Sequence, residues 1–154
     1  TNVRYPELRR NEDVGFVCRA VDACNNVYYL KESLYYYLQR ASSLSNDKTL
    51  DETDMIKAFS VIEKFLGDKY PDEIMDKSVS DLLYGVVLIM CKAGRKNSDI
   101  RKYIRGYERK YPNWYLSKGK KNLGRAKNIF LRAIRYKQIY FLKVLAKIHD
   151  KMIG

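Results

Sequence analysis

PDEIMDKSVSDLLYGVVLIMCKAG, residues 71–94, is the stretch on which the fold turns. Its proline stands where a helix tolerates one, at the first helical position, because that N–H would have no partner anyway. Val79, Leu82, Leu83, Val86, Val87 and Met90 then recur at the spacing of one helix face, and Gly94 supplies a stop. Residues 82–91 form a ten-residue run without a charge. A bilayer-spanning helix needs about 20 apolar residues, so this run predicts a helix buried in protein.

Helical patterning continues on both sides. Upstream, Met55, Phe59, Ile62 and Leu66 form one stripe, with Asp51 or Thr53 as cap and Gly67 as stop. Downstream, Ser98 is placed to cap a helix carrying Ile100, Tyr103, Ile104, Tyr107 and Tyr111, which Pro112 halts. Beyond Trp114, Leu123, Ala126, Phe130, Ala133 and Ile134 make one apolar face, and Phe141, Val144, Leu145 and Ile148 make another. Lys137 and Gln138 fall where the stripe should continue, so a bend or break is expected there. No internal repeat or low-complexity tract interrupts the pattern.

The first fifty residues read differently. Residues 1–10 are an irregular entry. Asn11 is placed to cap a helix with Glu12 and Asp13 in its first turn, where the helix dipole favours negative charge. Val14, Val17, Cys18, Val21 and Cys24 predict a buried face, and Asn25-Asn26 a stop. Residues 27–30 and 34–37, β-branched or aromatic about Lys31-Glu32-Ser33, predict two short strands joined by a turn. Two such strands are marginal alone in water, and they want a sheet that the chain barely supplies, the first sign of a fragment. Residues 41–53 are a polar linker. The expected fold is therefore mainly α, a short hairpin-like remnant followed by a helical bundle, in three parts: residues 1–50, 51–117 and 118–154.

With 46% of the residues hydrophobic, the chain has ample material for a core, and disorder is not the default reading. No charged-then-apolar leader opens the sequence, so no signal peptide is expected. Cys18, Cys24 and Cys91 lack CxxC spacing, and with one histidine, His149, they build no conventional zinc site. Reduced and mostly packed cysteines in a cytosolic protein are the expectation. The formal charge is +12, and it is unevenly placed. Residues 118–154 hold eleven Lys or Arg against Asp150 alone, a net of +10, which leaves +2 for the other 117 residues. Such a patch is a footprint for an anion: nucleic acid, acidic lipid or a polyanionic glycan.

Two stretches together carry a family likeness. One is Asn11-Glu12-Asp13-Val14-Gly15-Phe16, following Tyr5-Pro6-Glu7. The other is Leu34-Tyr35-Tyr36-Tyr37-Leu38-Gln39-Arg40-Ala41-Ser42-Ser43-Leu44. In this order, about thirty residues apart, they resemble the end of the catalytic domain in family 2 glycosyltransferases of the GT-A type, which build bacterial surface polysaccharides. The likeness covers residues 3–46. It implies inverting transfer of a sugar from a nucleotide donor to an acceptor hydroxyl. Asp13, matching the second acid of the family's Glu-Asp pair, would be the catalytic base, and Glu12 would orient the acceptor or the neighbouring loop. Arg40 would hold the departing diphosphate, and Ser43 would donate to it. Leu38 stands where many relatives carry a second basic residue, so phosphate holding would rest on Arg40.

The same likeness implies a divalent cation, Mg or Mn, in the intact enzyme, held by a DxD motif on an upstream parallel sheet. This chain has no DxD and no βαβ unit; the acids from Asp51 to Asp54 sit in the linker. The chain by itself is therefore expected to be inactive, and the implied partners are a nucleotide-sugar donor and a glycan acceptor. A binding module is the competing class. Phe130, Ile134, Tyr140, Phe141 and Leu142 with flanking cations suit a helix lying on an anionic membrane surface, at the inner face of the cell membrane. Against that stands a solvated basic face on helices packed to the catalytic domain. Nucleic acid is a third reading supported only by charge and tyrosines, with no helix-turn-helix, RRM or zinc signature behind it.

Overall fold

A long apolar run must be covered on every side, and in the computed structural model four other helices cover it. The structure describes residues 3–8, 11–36, 38 and 52–153. In chain order it contains α1 (Glu12–Asp22), α2 (Glu52–Leu66), α3 (Pro71–Ser78), a π-helical segment (Val79–Val86), α4 (Val87–Lys92), α5 (Asn97–Lys110), α6 (Arg125–Arg135) and α7 (Ile139–Ile153). Two 3-10 turns, Trp114–Leu116 and Lys118–Asn122, connect α5 to α6. The chain is mainly helical, as the periodicities predict.

Residues 71–92 form one unbroken rod, because Ser78, Val79 and Val87 all keep right-handed helical dihedrals at the joints. Val79, Leu83, Val86 and Val87 have no exposed surface at all. Burying each such side chain contributes roughly 1.5–3 kcal/mol. The π segment meets α2 and α6, while α4 meets α5 and α7. Widened π turns are uncommon and short, and α5 braces this one. The Tyr103 hydroxyl donates to the Leu82 carbonyl inside the segment at 3.1 Å. At its entrance the Ser78 hydroxyl donates to the Met75 carbonyl at 2.7 Å and accepts from the Tyr107 hydroxyl, also at 2.7 Å. Gly85 lets α2 approach, since a Cβ there would lie 2.8 Å from the Met55 sulfur.

Two helix ends follow one plan. Gly94 takes a φ of 68°, and the Arg95 N–H returns to the Met90 carbonyl at 3.0 Å. Lys137 takes a φ of 53°, and the Gln138 N–H returns to the Ala133 carbonyl at 3.0 Å. The expected bend at Lys137 is thus a left-handed helix stop without glycine.

Three local expectations are corrected. Ser98 lies inside α5, where its hydroxyl faces Asp99, and Lys96 takes the capping position. Asn11 enters α1 in the left-handed region at φ 59° and makes no side-chain cap. The hairpin is absent: no strand occurs among the described residues, and residues 27–36 carry none. Val27, Tyr28, Tyr29, Leu30, Leu34, Tyr35 and Tyr36 stand between 59% and 89% exposed. A ladder needs a second row of free N–H and C=O groups, and no described segment supplies one to these residues. Tyr37 and most of the linker lie outside the described residues.

The bracing of the π segment is testable by unequal substitutions. Ser78→Ala strands a buried tyrosine hydroxyl and should destabilise the fold by roughly 1–3 kcal/mol. Tyr107→Phe leaves Ser78 its bond to Met75 and should cost only about 1 kcal/mol. Urea unfolding of the two variants should rank them in that order; unchanged stability in both would contradict the bracing role.

Candidate functional site

Helix α1 presents the acidic pair because its opposite flank is held tightly. Gly15 is buried, and a Cβ on it would stand 3.0 Å from the Pro6 ring and 3.8 Å from the Ala58 carbonyl of α2. Tyr5 stacks on Phe16 with ring centroids 4.1 Å apart. Arg19 donates to the Gly15 carbonyl at 2.9 Å and to the Arg4 carbonyl, while its guanidinium lies 4.9 Å from the centre of the Phe65 ring. At the far end of α1, Asp22 accepts from Lys69 at 2.5 Å and from the Tyr70 hydroxyl at 2.7 Å.

This docking rotates the helix away from its valine stripe. Val14 and Cys18 pack on the core, but Val17 and Val21 are about half exposed, at 52% and 50%. The expected buried face is therefore only half right, because the close approach at Gly15 and the Asp22 clamp outweigh two valines. At the start of α1, Glu12 is half-buried and Asp13 exposed. One carboxylate oxygen of Asp13, Oδ1, accepts the Val14 N–H at 2.8 Å, and Oδ2 has no partner among the described residues. Arg40 and Ser43 lie outside the described residues.

A second region, on α5, was not singled out from sequence. Arg101, Arg105 and Arg109 recur every four residues, so they project as one row with Lys102 beside them, and all four are exposed. That interval was the available signal. A cleft of about 630 Å³ opens beside the row over the rings of Tyr103, Tyr107 and Tyr111, with Lys102 and Arg109 at its rim. The tyrosine hydroxyls are committed to Leu82, Ser78 and Glu63, and burial pushes all three phenols well above their ordinary range. The cleft floor is thus apolar and chemically inert.

The basic segment is only partly free. Arg135 stacks on Tyr115 at 4.6 Å, Lys137 pairs with Glu108 at 3.1 Å, and Lys143 donates to the Arg95 carbonyl at 2.8 Å. Lys120 donates to the Tyr115 carbonyl, and burial, helped by nearby Arg135, lowers its pKa. Of the aromatic and aliphatic residues expected at a membrane, Phe130, Ile134 and Leu142 are buried in the core. Tyr140 and Phe141 are exposed, and Val144 and Ile148 join them.

Fold and sites together define a helical module with a carboxylate pair at one helix start and a cationic, aromatic face elsewhere. No protein-family model matches the chain, and neither do any curated protein or solved structure. Among the described residues, no three His, Cys, Asp or Glu side chains converge to hold a metal ion. No described helix is long and apolar enough to cross a membrane.

The Asp22 clamp on α1 has a definite pH dependence. Hydrogen bonds from Lys69, then Tyr70, hold the Asp22 carboxyl below its ordinary 3.8. Its contribution is present above that value and is lost as pH falls through the lowered native one. Lys69 is raised above 10.5 by the same bond, so its share is lost only as pH rises through the raised value. Carboxyl titration by NMR should place Asp22 below 3.8, and Lys69→Met should return it toward that value. Amide exchange in α1 should quicken in Asp22→Asn while α5 stays protected; uniform protection in both would show that the clamp does not hold α1.

Proposed function

We propose that this chain is the C-terminal part of an inverting glycosyltransferase of the GT-A type, in surface polysaccharide or glycan synthesis in the cytoplasm. One structural observation carries the reading beyond the motif likeness. Val17 and Val21 of α1 and the apolar residues between 27 and 36 are left uncovered by the helical core. Apolar residues left exposed on a helix and on the segment that follows it support a contact face. Its β-branched and aromatic composition suits packing on a sheet, and the catalytic sheet of such an enzyme is the partner the likeness implies. The acidic pair stands at the start of the same helix.

In this reading the acceptor hydroxyl hydrogen-bonds to Oδ2 of Asp13, since Oδ1 is held by the Val14 N–H. As the hydroxyl oxygen bonds to the anomeric carbon, its proton passes to Asp13. The bond from that carbon to the diphosphate oxygen breaks, and the electron pair leaves with the nucleoside diphosphate. Arg40 pairs with the departing phosphates, Ser43 donates to them, and Glu12 orients the acceptor. The divalent cation and most donor contacts belong to residues outside this chain.

The 154 residues alone should therefore turn over no sugar nucleotide, and robust transfer by them would end this reading. In the full enzyme, Asp13→Asn should lower turnover by about a hundredfold, the scale for a lost general base, with donor affinity little changed. Arg40→Ala should weaken nucleoside diphosphate binding as well as turnover. Normal turnover in Asp13→Asn would remove that residue from the chemistry.

A further inference from the structure

Helix α7 is apolar on two opposite faces. Ile139, Leu142 and Ala146 are at most 1% exposed and pack on the core. At about 100° per residue, Tyr140, Phe141, Val144 and Ile148 cluster on the far side. They are exposed by 75%, 44%, 52% and 46%. A helix apolar all round is normally enclosed, yet no described element covers this second stripe. Lys147 is exposed along its edge.

The row of cations on α5 adjoins the stripe. Arg101 shares one surface depression with Lys137, Tyr140 and Phe141, and a neighbouring depression with Lys102, Arg105 and Arg109. Arg101, Lys102 and Arg105 have no acidic partner among the described residues, whereas Lys137 is already paired with Glu108. Their charge is therefore available to an outside anion. Aliphatic Val144 and Ile148 add nothing to nucleic-acid binding, which uses cations and stacking rings. A second copy would bring two such basic faces together at a repulsive cost. A bilayer rich in anionic lipid satisfies both halves of the surface, headgroups meeting the cations and the stripe entering the headgroup–acyl boundary.

We propose that the second face of α7, with Arg101, Lys102 and Arg105 of α5, is a docking surface for an anionic lipid bilayer. This is independent of the transferase reading, and each survives failure of the other. It replaces the set Phe130, Ile134 and Leu142, which the core consumes.

The test uses the purified 154-residue chain with two vesicle types, pure phosphatidylcholine and an equal mixture with phosphatidylserine. The chain should sediment with the mixed vesicles only, less so as salt rises. Arg101→Gln with Arg105→Gln should weaken partitioning on the order of thirtyfold, the loss expected for two surface cations. Val144→Gln with Ile148→Gln should weaken it at least tenfold by the ~0.8 kcal/mol per buried methylene scale. Circular dichroism checks that both variants remain helical. A Tyr140→Trp variant should shift its emission to the blue on mixed vesicles, over a background from buried Trp114. Equal binding to neutral vesicles, or unchanged binding in both double variants, overturns the proposal. So does a concentration-dependent dimer that the Val144/Ile148 changes abolish, or oligonucleotide binding without vesicle binding.

Discussion

The rod formed by residues 71–92 buries nearly all of its apolar residues from Val79 to Cys91, and the rest of the molecule is arranged to cover them. Its valines and leucines are covered by α2, α5, α6 and α7 in turn. Covering its apolar side also traps backbone and hydroxyl groups, and buried polar groups must be paired. The tyrosines of α5 do this at the π segment, where Tyr103 and Tyr107 reach Leu82 and Ser78. One helix thus supplies both an apolar wall, through Ile100 and Ile104, and the polar links that a widened turn requires. Cys91 shares this environment; burial pushes its thiol up to about 11, so it is packing material and not a nucleophile.

Charge in this molecule divides into cations that the fold uses and cations that it leaves available. Lys110 is bound to Glu63, Lys127 lies over Tyr84, and Arg135 lies over Tyr115. These cations hold helices and connecting turns together. Arg101, Lys102 and Arg105 do not, because α5 turns that side outward. The net charge of residues 118–154 therefore overstates what this segment offers a partner, and α5 supplies part of the field that composition assigned elsewhere.

The two candidate surfaces differ in how they are supported. The acidic pair rides on α1, which touches the bundle through α2 by the Gly15 approach, the packing of Val14 and Cys18, the Arg19–Phe65 contact and the Asp22 clamp. Local attachments of this kind open at lower cost than a core. The α5–α7 face, by contrast, is the outer side of helices whose inner sides are fully buried. Its side chains are positioned by the core itself.

Much of the helical plan was legible from residue order. Met55, Phe59, Ile62 and Leu66 mark α2, Pro71 and Gly94 bound the central rod, and Lys137 marks the stop between α6 and α7, because periodicity, proline and stripe breaks are local signals. The carboxylate pair was equally local, two acids at a helix start. What residue order leaves open is which neighbour each side chain meets. Val17 and Val21 fit a buried stripe as well as Val14 does, but only the approach of Gly15 to Pro6 and Ala58 decides which of them face water. Residues 27–36 have strand composition, yet a strand exists only with a partner, and none is present among the described residues. Likewise Phe130 and Phe141 are alike as residues. Tertiary packing alone turns one into the core and the other to the surface, because burial belongs to the assembled layers and not to the residue.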